Sequence, residues 1–94
     1  MARKLNAKEI GALQEILAKA AFGLSLRRFT ILKADPPEIG YTGMGNQIFL
    51  SFDNEIIADL SIPCKISVIR GIFCHEMLHQ LLSDFKLLEK TMST

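Results

Sequence analysis

Apolar residues recur in three different rhythms along this chain, and each predicts a different kind of element. Ile10, Leu13, Ile16, Leu17 and Ala20 or Ala21 return at helical spacing as far as Gly23, and Asn6 with Glu9 three positions on fits a capping box. An amphipathic N-terminal helix is expected there. "FTILK", Phe29 to Lys33, is β-branched and apolar and stops at "ADPPEIG", where two prolines forbid continuation, so it reads as a short strand. Beyond the glycine-rich "GYTGMGNQ", Gly40 to Gln47, the alternation of Ile48, Leu50 and Phe52 predicts a second strand that ends at the turn-like "DNE". "IIADLSI", Ile56 to Ile62, fits a third strand or a helical turn, with strand preferred.

From Pro63, a residue suited to a first helical turn, nothing but Gly71 interrupts a helix through Leu82. Ile66, Ile69, Phe73, Met77 and Leu81 lie on one face of it, and Val68, Ile72, Leu78 and Leu82 flank another, which predicts a helix buried nearly all round. Ser83 and Asp84 then offer a break and an N-cap for a short C-terminal helix, "FKLLEKTM". The expected fold is α+β: an N-terminal helix, a small mixed or antiparallel sheet of two to four strands, the buried helix, and a short terminal helix. All of it makes a single domain spanning 1–94.

Composition narrows the class. With 49% hydrophobic residues, 22% charged residues and a mean hydropathy of +0.25, the chain has the content of a globular domain with one core. The net charge of +1 supplies no global field that would draw in nucleic acid or an anionic membrane. That charge is unevenly spread: residues 1–34 hold seven Lys or Arg against two acids, and residues 35–94 hold four against eight. Basic Arg27, Arg28 and Lys33 come with no interleaved aromatics or nucleic-acid motif, so no nucleic-acid partner is expected. Cys64 and Cys74, ten residues apart on one helix, would stand roughly 15 Å from each other, beyond bonding reach. Reduced cysteines, with no apolar leader and no membrane-length run, predict a cytoplasmic protein.

The chemistry sits in "CHEMLHQ", Cys74 to Gln80, which contains both histidines of the chain. His75 and His79 are four apart, so a helix puts them on one face within reach of a single ion. Glu76 projects about 100° round from His75, too far to be an equal ligand and close enough to touch a water that the ion activates. That is the physical content of H-E-x-x-H. On a buried helix the three polar groups would incur a large desolvation cost unless a cation satisfied them. A catalytic zinc site needs a third protein ligand, and the absence of a third histidine leaves Asp, Glu, Cys or Tyr. Glu89 is the candidate if the terminal helix doubles back from Asp84; Asp84 itself is the alternative and also suits a helix cap. Cys74 points away from the histidine face and is read as packing, and Tyr41, the only tyrosine, as partly packed surface.

"VIRGIFCHEMLHQLL", Val68 to Leu82, resembles the active-site helix of zincin metallopeptidases. The lack of a third histidine together with Glu89 is similar to the gluzincin branch, above all to the minimal archaeal minigluzincins. The resemblance is motif-specific over about fifteen residues and architectural over the rest. It implies Zn2+ held by His75, His79 and Glu89, with Glu76 as general base and acid in peptide-bond hydrolysis. It further implies a peptide or unfolded-protein substrate paired along the strand between Met44 and Phe52, and a form that can be latent. The alternative from another class is a metal-stabilised, non-catalytic interaction domain descended from such an enzyme. Neither a membrane partner nor a particular oligomeric state is predicted.

Overall fold

The computed structural model describes residues 3–35 and 38–92, with side chains described as far as Ser83. The element order is α1 (Ala7–Ser25), β1 (Thr30–Lys33), β2 (Gly40–Thr42), β3 (Gln47–Leu50) and α2 (Ile62–Met92). It is a small α+β fold.

The start of α1 is set by Asn6. Its Oδ1 accepts from the Glu9 N–H at 2.8 Å, and Glu9 Oε1 accepts from the Asn6 N–H at 3.1 Å, so two otherwise unpaired donors are satisfied reciprocally. Leu13, Leu17 and Ala21 enter the core, while Ile16 lies 60% exposed on the outer side. Gln14 fixes the helix against β1 by donating from Nε2 to the Ile31 carbonyl at 3.0 Å.

The three strands form a mixed sheet in the order β1-β3-β2, with β1 parallel and β2 antiparallel to β3. Thr30 pairs with Gln47 and Lys33 with Leu50 on one side; Gly40 pairs with Leu50 and Thr42 with Ile48 on the other. The β2–β3 hairpin turns through Gly45 at φ +65°, where a side chain would be strained, and is closed by the Gly43 N–H donating to Gln47 O at 2.8 Å. Both helices pack against the sheet and touch each other, α1 against β1 and α2 against β2 and β3. Ile48 and Leu50 from β3 meet Ile69, Phe73 and Met77 from α2 and the α1 leucines in one core.

Three local expectations are corrected. "IIADLSI" is a turn segment rather than a strand. The buried Asn54 side chain accepts from the N–H groups of Ile56 at 2.9 Å and Ile57 at 3.2 Å, and Leu60 N–H closes a further turn on Ile57 O, giving the backbone local partners in place of a ladder. α2 is one unbroken helix of 31 residues, without the break expected at Ser83–Asp84; neither residue is a helix breaker in the way glycine or proline is. Nor is α2 buried all round. Lys65, Ile69, Phe73 and Met77, four apart, form its buried stripe, while Cys64, Cys74, His75, Leu78, His79 and Leu82 are exposed. Among the described residues, no helix is long and apolar enough to cross a membrane.

Candidate metal centre

His75 and His79 stand one turn apart on the exposed side of α2, and their Nε2 atoms approach to 2.9 Å with the rings edge-on at 89°. Two ligands on adjacent corners of a tetrahedral zinc site, each about 2.05 Å from the ion, would be separated by roughly 3.3 Å. The pair would have to open by a few tenths of an ångström to reach that separation. The same distance fits a hydrogen bond between the two rings, with donor and acceptor set by their tautomers.

Glu76 lies half-buried beside the pair. It and His75 line a cleft of about 360 Å³ whose other walls are Val68, Gly71 and Ile72 of α2 and Ile39 and Gly40 at the start of β2. The cleft follows from the approach of strand to helix. A Cβ on Gly40 would come within 2.8 Å of Ile72 Cγ2 and 3.3 Å of Phe49 O, so a larger residue would force the two elements apart. Gly40 sets this approach, and in the sequence it shows only as the first residue of the glycine-rich "GYTGMGNQ".

Among the described residues, the wall strand is also an open edge. Ser51 N–H donates to Ile39 O and Gly43 N–H to Gln47 O, so by the antiparallel alternation Gly40 and Thr42 turn their own N–H and C=O groups away from β3. The strand expected to receive substrate, Met44 to Phe52, contains β3, which is paired on both sides and has no edge to offer. β2 is the free edge nearest the histidines. On it, Tyr41 stacks on Phe49 with ring centroids 4.6 Å apart.

The remaining expected ligands, Asp84 and Glu89, have side chains outside the described residues. Among the described residues, no three His, Cys, Asp or Glu side chains gather at one point. Because α2 continues unbroken, the backbone at Glu89 lies ten residues beyond His79 on the same helix, roughly 15 Å away. The doubling-back that would have brought it level does not occur, and Asp84 caps no second helix. Cys74 is exposed rather than packed, and both cysteines are free thiols. Exposure of His75 and His79 also removes the desolvation argument for a cation, leaving the convergence of their nitrogens as the observation that counts. No protein-family profile matches this chain, and no curated protein or solved structure matches it.

Proposed function

We propose that the chain is a zinc-dependent endopeptidase. The observation that carries this reading is the meeting of His75 Nε2 and His79 Nε2 at 2.9 Å, with His75 and Glu76 both lining one cleft. Two imidazoles so placed would hold Zn2+, which when bound supplies Lewis-acid polarisation of a peptide carbonyl and acidifies water. Glu76 takes a proton from the attacking water and returns it to the departing amine, the work of a general base and then a general acid. An extended peptide would pair with the outward N–H and C=O groups of Gly40 and Thr42, which lays its backbone along the cleft. Glu89 joins the two histidines only if α2 opens between Ser83 and Asp84.

The unbroken α2 specifically favours a second reading, in which two histidines bind a metal that steadies a non-catalytic interaction domain. Purified protein loaded with zinc, assayed for bound metal and for cleavage of unfolded protein, separates the two. Under the first reading Glu76→Gln keeps the metal and loses cleavage, while His75→Ala and His79→Ala lose both. Metal retention with no cleavage by the wild type supports the second; protein that takes up no zinc overturns both. Glu89→Gln tests the third ligand separately, because a zinc affinity unchanged by that substitution excludes it.

A further inference from the structure

The end of α1 presents a combination that the core does not require. Leu24 is 78% exposed, Leu26 80% and Phe22 43%, three large apolar side chains within five residues. Single exposed leucines are ordinary, but this group lies at the point where the chain turns, and Leu26 makes the turn at φ +60°, ψ 19°. That left-handed conformation is the usual place of glycine at a helix end, because a Cβ there is strained. A glycine is at hand in the same segment. Gly23 stands inside the helix with open space where its Cβ would be, a position where it weakens the helix. Glycine within the helix and leucine at the strained turn is the reverse of what stability alone would select, and an outlier of this kind motivates a search for function.

The charges near the tip are mostly positive, although Glu15 lines the same groove as Lys19, Phe22 and Arg28. Residues 16–34 include Lys19, Arg27, Arg28 and Lys33 and no Asp or Glu. Arg28 lies with its Cζ 5.8 Å from the Phe22 ring centroid, so a cation and an apolar side chain are offered together. Lys19 pairs with Glu15 at 3.1 Å on a highly exposed part of the helix, an interaction that water and salt weaken. The chain-average charge that argued against an anionic surface conceals this local excess.

We infer that the α1 tip formed by Phe22, Leu24 and Leu26, with Arg28, is a peripheral contact for an anionic lipid surface, with the leucines entering the headgroup boundary. Three side chains on a tip fall well short of the roughly 800 Å² per partner that a stable protein contact buries, whereas a few inserted apolar groups plus nearby cations suffice for reversible membrane attachment.

The test uses the full chain with sedimentable vesicles of phosphatidylcholine alone or containing about one-third phosphatidylserine. Binding should occur with the anionic vesicles, weaken with added salt, and fall roughly fivefold in Arg28→Gln and roughly tenfold in Leu24→Ser. Leu26→Gly is the decisive variant: it should raise the Tm while weakening vesicle binding, so that the loss cannot be attributed to misfolding. Failure of the wild type to bind anionic vesicles overturns the inference, as does binding that Leu24→Ser and Leu26→Gly leave intact. A dimer dissolved by Leu26→Gly, with no vesicle binding, would overturn it in favour of a second copy of this chain.

Discussion

Glu9 and Leu26, at opposite ends of α1, act on stability in opposite directions. Glu9 accepts both guanidinium nitrogens of Arg3, at 2.6 and 2.8 Å, as well as the Asn6 N–H. The Arg3 hydrogen bonds, followed by the Asn6 backbone bond, lower its pKa from 4.5 to about 2. A folded-state pKa below the unfolded value means that this carboxylate's contribution is complete above pH 4.5 and is lost as the pH falls towards 2. A carboxyl NMR titration should find Glu9 with a midpoint near 2, and Glu9→Gln should flatten the acid limb of stability over that window. Salt should shrink the effect, since the pair faces water. At the other end, replacing Leu26 by glycine removes a left-handed Cβ worth about 1 kcal/mol, the origin of the higher Tm expected of that variant. The capping box was legible in the sequence because both partners lie within one turn; the strain at Leu26 was not, because a left-handed residue is identified by its dihedrals and not by its type.

At the scale of elements, legibility followed the strength of the local pattern. α1, β1, β3 and the start of α2 carry long or regular apolar periods and form where expected. β2 has three residues, one of them glycine, and no period to detect; it exists because Gly40 admits Ile72 and Tyr41 stacks on Phe49. "IIADLSI" failed the opposite way. Its isoleucines suggested a strand, yet Ile57 is fully buried while Ile56 is 69% exposed, and the Asn54 side chain sets the geometry. In the candidate site, the spacing of His75 and His79 on one helical face was readable, and their exposure, the β2 edge and the Gly40 wall were products of tertiary packing. Gly40→Ala tests that wall. Its Cβ would meet Ile72 Cγ2 at 2.8 Å with the Phe49 carbonyl also close, so strand and helix must separate, at a cost of about 1–3 kcal/mol. Denaturant unfolding should show the loss, and under the proposed peptidase reading the same variant should also weaken peptide binding, because that contact defines the cleft.

The whole molecule is elongated, 56 × 25 × 19 Å, with a radius of gyration of 14.7 Å against about 12 Å for a compact chain of this length. Its longest element accounts for this: 31 residues of α2 extend roughly 46 Å, and among the described residues the last fully buried side chain of α2 is Met77, with Leu81 partly buried against the core. The first half of α2 carries the stripe that packs on the sheet, and its buried face includes a lysine. Lys65 is 2% exposed, and its Nζ donates to the Arg3 carbonyl at 2.5 Å, joining positions 62 residues apart in sequence. Its long alkyl stem fills core space beneath the N-terminal segment, and the ammonium emerges at a backbone acceptor. Two substitutions separate these contributions. Lys65→Met keeps the volume and removes the hydrogen bond, leaving a carbonyl that can turn to water, so it should cost less than about 1 kcal/mol. Lys65→Ala opens a cavity in the stripe that contains Ile69 and Phe73 and should cost about 2–4 kcal/mol. Equal losses in chemical denaturation would mean that the charged hydrogen bond, rather than the packing of its stem, holds the N-terminal segment against α2.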